Sequence, residues 1–309
     1  MSVAVAIVGY RNPDDLVRCI AALQASTYQD YQVVICENGG EAAYQALQRC
    51  LPTTLRGGQP LQLIQAPDNL GFAGGVNVCL AATPDADAWW VLNPDTEPYP
   101  ETMARLVARL AAGDCEAVGS TLHLPSGKVQ SHGGRWESWL ARAISIDHGS
   151  DLDIKPDPAA IERRQNYLNG ASMLVSRRFL EATGPMREDY FLYCEEVEWC
   201  LRARRAGMRL GFAADALILH RQGSTTGNNS ALSERPRMPV FLNERNKILL
   251  TRDLYPAALP VVALSSVTVC IVRFARRRAW RQLTHALAGW RAGLFNERGP
   301  PRHIPSRLA

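Results

Sequence analysis

The chain has 309 residues, 47% of them hydrophobic and 21% charged, which leaves enough apolar material for a sizeable core and excludes disordered, collagenous and disulfide-scaffold classes. Its eight cysteines (19, 36, 50, 79, 115, 194, 200 and 270) form no CxxC pair and no Cys/His ligand spacing, so free thiols in a reducing compartment are expected and a structural zinc site is not. The net charge of +4 conceals an asymmetry: residues 1–232 carry 20 basic and 26 acidic side chains, whereas residues 233–309 carry 14 and 4, a basic module.

In chain order, Val3 to Val8 reads as a buried strand, and Asn12-Pro13 as an N-cap and first-turn proline ahead of Leu16, Cys19, Ile20 and Leu23 at helical spacing. Tyr31 to Cys36 is a second strand, Glu41 to Cys50 a helix, Leu61 to Ala66 a third strand, and Gly74 to Ala82 a glycine-rich helix. Ala88 to Leu92 is a fourth strand ending in Asn93-Pro94-Asp95-Thr96, and Pro100 to Ala112 a helix. This alternation predicts an α/β fold, with a mostly parallel central sheet flanked by helices. Functional groups of such sheets gather at the carboxyl ends of strands, which here carry Tyr10 to Asn12, Glu37-Asn38, Asp68-Asn69 and Asn93 to Asp95. A more irregular region is expected from Ala117 to Leu124, then loops and short strands over 125–165. Order returns with a strand at Ser172 to Val175, helices from Arg177 to Ala182 and about Glu195 to Ala206, and a last strand at Leu217 to His220.

Four constellations could carry chemistry. The run Asn69 to Asn77 places Gly71, Gly74 and Gly75 between a strand and a helix, where a ligand could approach the backbone; a turn requiring positive φ would look the same. Neither GxGxxG nor GxxxxGK[ST] occurs there. Asp95, just past a strand, could hold Mg²⁺ or Mn²⁺ against a diphosphate, or be a solvated turn aspartate. Glu195, Glu196 and Glu198 crowd the first turn of a helix, where its dipole favours them, yet the run Tyr190 to Cys194 before them suggests an apolar wall that would raise a pKa toward general-base use. His220 ends a strand, and gains weight only if it meets Asp95 at one metal.

Leu254 to Val272 is an uncharged run of 19 residues, followed by Arg273, Arg276, Arg277, Arg278 and Arg281. With Pro256, Pro260, Ser265, Ser266 and Thr268 diluting it, the preferred reading is a helix in the headgroup region with its arginines on anionic lipid; a buried core helix and a true span are the alternatives. Phe274, Trp280 and Trp290 sit among the arginines, as they would in a nucleic-acid binder, but the front half is acidic and no nucleic-acid partner is expected. Met1 to Val8 lacks the features of a signal peptide, so the catalytic part is expected in the cytosol.

Taken in order, VAIVGYRN, ENGG, NLGFAGGVN, LNPDTEP, NGASMLVSRRFLEATGPM, YFLYCEEVEWCLRARRAG and ALILHRQGS resemble the family 2 glycosyltransferases, most closely the bacterial rhamnosyltransferase group, over roughly residues 3–226 plus the NERNKILL stretch. The resemblance implies a GT-A fold, with a nucleotide-sugar half over about 1–115, an acceptor half over about 116–232, and a basic helical, membrane-associating tail over 233–309. It implies inverting transfer from a nucleoside-diphosphate sugar, dTDP-L-rhamnose first, with galactofuranose or an N-acetylhexosamine as the runners-up; the alternative of another class is a catalytically inactive nucleotide-sugar-binding protein, suggested by glutamate where the family has aspartate at the base. The acceptor implied is a hydroxyl of a cell-surface glycan, often lipid-linked, at the inner face of the cytoplasmic membrane. By matching motif, Tyr10, Asn12, Glu37, Asn69, Gly71, Gly74 and Asn93 would line the nucleotide-sugar pocket, Asp95 and His220 the metal, and Glu196, or Glu195 in its place, would be the base. Three motifs depart from the family pattern: Glu37 stands where the first half of an Asp-Asn pair is usual, Glu195-Glu196 where a Glu-Asp pair is usual, and Gly184-Pro185-Met186-Arg187-Glu188 replaces Gly-Gly-Phe-Asp-Glu.

Overall fold

The structure is a computed structural model that describes residues 1–221 and 231–301; Gln222, Gly223 and Ser224, which end the last motif quoted above, lie outside the described residues. The first strand, β1 (Val3–Gly9), is buried at every position, as expected of a β-branched run with helices on both faces. It leads into α1 (Pro13–Leu23), which begins with Pro13 and two first-turn aspartates and buries Leu16, Cys19, Ile20 and Leu23. Then follow β2 (Tyr31–Glu37), α2 (Glu41–Cys50), β3 (Leu61–Gln65), α3 (Gly71–Ala82), β4 (Ala88–Leu92), β5 (Thr96–Pro98) and α4 (Thr102–Ala111).

The second half comprises β6 (Ala117–His123), β7 (Val129–Ser131), β8 (Gly134–Glu137), β9 (Arg142–Ser145), α5 (Pro158–Arg164), β10 (Ser172–Ser176), α6 (Arg177–Thr183), α7 (Glu195–Arg205) and β11 (Leu210–His220). Both halves share one mixed sheet, ordered β3-β2-β1-β4-β10-β6-β11-β5, with β7 added on β6. Pairing is parallel through β3, β2, β1 and β4 and again between β6 and β11, while β10 runs antiparallel to both neighbours. The reversal at β10 has a functional consequence: its entry, Asn169 to Ala171, meets the exit of β4, and Asn93 N–H donates to the Ala171 carbonyl at 3.0 Å.

Where Ala117 to Leu124 suggested irregular structure, β6 is a regular strand buried at all seven residues. Gly119, Ser120, Thr121 and His123 break its apolar pattern, and burial on both faces erases the alternation that marks half-exposed strands. The last strand is longer than Leu217 to His220: it starts at Leu210 and continues through a shift of register between Ala213 and Leu217, a stretch whose Asp215 breaks the apolar run in the sequence. All eight cysteines are free, seven of them buried.

The tail consists of α8 (Arg237–Leu254), α9 (Leu259–Ala275) and α10 (Trp280–Leu294), and it packs into the rest of the protein. Helices α8 and α10 touch backbone to backbone: a Cβ at Gly289 would clash with the Phe241 carbonyl, and one at Gly293 would sit 2.7 Å from the Arg245 carbonyl oxygen. Past α10, Arg298 pairs with Asp189 (2.8 Å) and Asp253 (2.6 Å), and Arg187 reaches the same two carboxylates.

The deepest contact of the tail is made by α8 with the chain between the short 3-10 turn Glu188–Tyr190 and α7. Phe191, Tyr193 and Cys194 have left-handed backbones (φ 69°, 73° and 69°), a state that costs an L-residue about 1–2 kcal/mol each. Their conformation turns carbonyls toward α8, where buried Asn246 donates through Nδ2 to the carbonyls of Tyr190 (2.9 Å), Leu192 (2.8 Å) and Tyr193 (2.8 Å). Arg245, equally buried, donates to the Tyr190 carbonyl and orients Asn246 through its Oδ1.

Two outcomes follow for stability. Asn246→Ala strips buried carbonyls of their donor and should cost about 1–3 kcal/mol, read as a lower melting temperature; an unchanged melt would show that the loop holds itself. Gly289→Ala should cost a similar amount, about 1–3 kcal/mol, by forcing α10 off α8, and a neutral result would contradict the backbone contact.

Candidate active site

The carboxyl ends of β1 and β2 build the first wall. Glu37 is fully buried; its Oε1 accepts from the backbone N–H of Arg11 (3.0 Å) and Gly39 (2.7 Å), and its Oε2 has no protein partner. Burial pushes the Glu37 pKa up, opposed by those two amide bonds and by the Arg11 charge. The methylene that distinguishes Glu37 from aspartate is housed by two glycines, since a Cβ at Gly9 or Gly39 would clash with its carboxylate. Asn12 starts α1, but its side chain caps no helical amide; Oδ1 instead accepts from the Tyr10 N–H at 3.0 Å, which ties Tyr10, Asn12 and Glu37 into one turn.

Helix α3 begins at Gly71 rather than Gly74, and its glycines admit the protein's own chain. Gly71 has φ 73°, a Cβ there would clash with the Phe191 carbonyl, and Phe72 N–H donates to that same carbonyl at 2.7 Å. Gly74 packs on Leu70. Asn69 Oδ1 accepts from Gly71 N–H (3.0 Å), and Asn38 Nδ2 donates to the Gly71 carbonyl (2.8 Å), so this segment joins the Glu37 wall to the 191–194 loop.

The exit of β4 supplies the second wall. Thr96 pairs with His220 across β5 and β11, which brings His220 Nε2 to 3.2 Å from Asp95 Oδ1. Both residues are buried. On its other side His220 Nδ1 lies 2.7 Å from Gln130 Oε1. Each ring nitrogen of His220 thus faces one side-chain oxygen, Gln130 on one side and Asp95 on the other, which fixes the orientation of the ring. Among the described residues no group of three or more His, Cys, Asp or Glu could hold a metal. A site with one carboxylate and one imidazole suits a divalent ion that takes its remaining oxygens from water and phosphate.

The three glutamates of α7 divide by environment. Glu198 is paired with Arg202 at 2.9 Å. Glu195 is 2% exposed with an orphan Oε2, and burial, then the neighbouring Glu196 charge, pushes its pKa well above the ordinary 4.5. Glu196 is half-buried and its side chain lies on Gly170, where a Cβ would be 3.3 Å from its Cγ. Its pKa is also raised by burial and held back by helix-start amides, including its own and those of Val197 and Cys194. Glu196 rests on Gly170, and the next residue, Ala171, bonds Asn93 of the Asp95 turn, so glutamate and aspartate stand at the same end of the sheet.

The expected site residues thus gather at that end in two connected groups: Tyr10, Asn12, Glu37, Asn69, Gly71 and Gly74 on one side, and Asn93, Asp95, His220, Glu195 and Glu196 on the other. Gln130, Gly170 and Asn246 were not singled out by the sequence. Asn246 lay within the NERNKILL stretch, whereas Gln130, on the short strand β7, carries no local signal.

Comparison with known proteins identifies the family and the fold. Residues 2–238 match the family described as Glycosyltransferase like family 2. The chain is 22% identical over 255 residues to the low-salt glycan biosynthesis hexosyltransferase Agl10 of Haloferax volcanii, covering 79% of each chain. It is 26% identical over 265 residues to the N-acetylglucosaminyl-diphospho-decaprenol L-rhamnosyltransferase of Mycobacterium tuberculosis, covering 78% of this chain and 84% of that one. Among solved structures, GalNAc-T7 with UDP, GalNAc and Mn²⁺ superposes with a TM-score of 0.58 at 13% identity, over 82% of this chain and 48% of the longer GalNAc-T7 chain. The mannosyltransferase PcManGT of Pyrobaculum calidifontis, in complex with GDP-Man and Mn²⁺, superposes with a TM-score of 0.56 at 12% identity over 96% and 87%. The fold is therefore of the GT-A type, and the chain belongs to the family 2 glycosyltransferases.

Proposed function

We propose that the protein moves a sugar, L-rhamnose from dTDP-L-rhamnose, onto a hydroxyl of a lipid-linked glycan in one inverting displacement. The observation that carries this reading is the placement of a buried Asp95–His220 pair and of Glu196 at the same end of the sheet. The rhamnosyltransferase from Mycobacterium tuberculosis supports the donor and the lipid-linked acceptor. Residues 1–115 would form the nucleotide-sugar half, with Tyr10, Asn12, Glu37 and Asn69 around the nucleoside, and 116–232 the acceptor half.

Glu196 takes the acceptor proton as the hydroxyl oxygen attacks the anomeric carbon from the face opposite the diphosphate. The bond from that carbon to the phosphate oxygen breaks, and the electron pair leaves with the nucleotide. Glu195 is 2% exposed, too enclosed to reach an acceptor, and its burial and the neighbouring Glu196 charge both push its pKa up. Asp95 and His220 would hold Mg²⁺ or Mn²⁺, which when bound neutralises the leaving diphosphate.

Residues 233–309 would place the enzyme on the inner face of the cytoplasmic membrane. The apolar segment Pro256–Ala275 is long enough to cross a bilayer yet only 28% buried, and Val261, Leu264, Val269 and Ile271 are exposed on α9. Its other side is fixed to the protein, with Trp290 Nε1 donating to the Ala263 carbonyl at 3.0 Å and Val262, Cys270 and Phe274 buried. A span would drag the charged helices α8 and α10 into hydrocarbon, whereas a helix lying in the headgroups wets only its free face.

Asp95→Ala should abolish transfer, at least 100-fold, with the melt unchanged; retained turnover would remove Asp95 from the diphosphate site. Glu196→Gln should cut kcat about 100-fold or more with donor affinity intact, and Glu195→Gln far less; the reverse order would move the base. Because the folded pKa of Glu195 exceeds its unfolded value, the wild type loses stability as pH rises from about 4.5 through the raised value. Melts of Glu195→Gln should therefore be higher than wild type at pH 8 and flatter with pH, and an equally steep profile would place the ionisation elsewhere. Leu264→Asp with Val269→Asp should weaken co-sedimentation with anionic vesicles about tenfold or more while the fold stays intact, a cleaner test than deleting helices that pack on α8.

A further inference from the structure

The basic residues of the tail are not spread evenly. A cleft of about 460 Å³ opens between the segment entering α8 and the end of α9, lined by Ala231, Leu232, Ser233, Arg235, Arg273 and Arg277. A smaller cavity of about 100 Å³ shares Arg235 and Arg273 with it and continues along α8 past Asn243 and Lys247. Arg273 and Arg277 stand one helical turn apart, and neither takes part in an ion pair among the described residues. Three guanidinium groups, those of Arg235, Arg273 and Arg277, thus line one cleft, and burial, then the Arg273 charge, holds Arg235 below its ordinary pKa. Glu244, the acidic residue lining the smaller cavity, is already paired with Lys247 at 2.8 Å.

The two ends of this cleft differ. At the inner end, the smaller cavity reaches Lys247 on α8, next to Asn246, which holds the carbonyls of Leu192 and Tyr193 just before Glu195. At the outer end, the exposed apolar residues Val269, Ile271 and Val272 directly precede Arg273. A cluster of cations between an apolar face and the loop that carries the proposed base matches a molecule with a hydrocarbon chain, an anionic linker and a sugar, in that order.

We propose that this cleft is the acceptor's anchoring site: a phosphate or diphosphate linker sits among Arg235, Arg273 and Arg277, the lipid chain lies along the free face of α9, and the sugar is directed past α8 toward Glu196. The inference rests on the reading of the chain as a transferase to lipid-linked acceptors, and deepens it by naming the residues that select the linker. Shared phosphate chemistry links three sources, namely the acceptor's own linker, bulk phospholipid and free inorganic anion, and the site belongs to the first.

The test measures binding of the full chain to phosphatidylcholine vesicles doped either with a polyprenyl diphosphate or with phosphatidylglycerol at equal surface charge. The wild type should prefer the polyprenyl diphosphate about tenfold, a ratio that corresponds to roughly one charge-assisted hydrogen bond. Arg273→Gln with Arg277→Gln should erase the preference, while Arg276→Gln with Arg278→Gln, which removes the same charge outside the cleft, should weaken both bindings and keep it. Equal binding of wild type to the two vesicles, or a preference that survives the cleft substitutions, overturns the proposal, as does binding of inorganic pyrophosphate as tight as that of the doped vesicle. Calorimetry with a nucleotide sugar runs beside it: failure there with the vesicle preference intact counts against the transferase reading, and the converse counts against the anchor alone.

Discussion

The geometry of the site depends on the grip of α8 on the carbonyls of Tyr190, Leu192 and Tyr193. A loop with three left-handed L-residues carries backbone strain, and Asn246 and Arg245 hold it by donating to three of its carbonyls. The same loop sends the Phe191 carbonyl into the gap left by Gly71, so the start of α3 and the start of α7 are set by one peptide group. Strain held in this way gives a helix start whose direction does not drift, which is what a carboxylate needs if it is to meet an acceptor oxygen.

Two adjacent glutamates then acquire different characters from position alone. Glu195 turns inward to an orphaned, dehydrated environment, and Glu196 turns to Gly170 and the sheet end. Identical side chains one residue apart thus differ through burial, the largest cause of the shift for each. Across the cleft the logic is reversed: Asp95 and His220 are both buried and face each other, and the Gln130 contact sets which histidine nitrogen is left for the aspartate side.

Much of this was legible in the sequence. Strands β1 to β4 announced themselves as short apolar runs between helical patterns, and the groups at their carboxyl ends are those found there. The sheet's second half was less readable, because β6 is buried on both faces and interrupted by glycine, serine, threonine and histidine, and Asp215, at the shift of register in β11, breaks that strand's apolar run. Glutamate at position 37 looked like a departure from the pattern, yet the compensation was present in Gly39, two residues on in the same ENGG motif, and in Gly9, which only spatial proximity connects to it. The grip of Asn246 on a loop more than 50 residues upstream has no local trace at all, since hydrogen bonds to backbone carbonyls leave no preference in the receiving residues.

The contacts of Asn246, Gly289 and Arg298 also bear on how the molecule is made. A ribosome releases the α/β portion first, and that portion can collapse around its sheet while α8 to α10 are still in the exit tunnel. The 191–194 loop cannot settle until α8 arrives, and the Asp189 and Asp253 carboxylates stay unclasped until Arg298 does. The nascent chain therefore matures in order, the 191–194 loop taking its final shape only after α8 has docked on it.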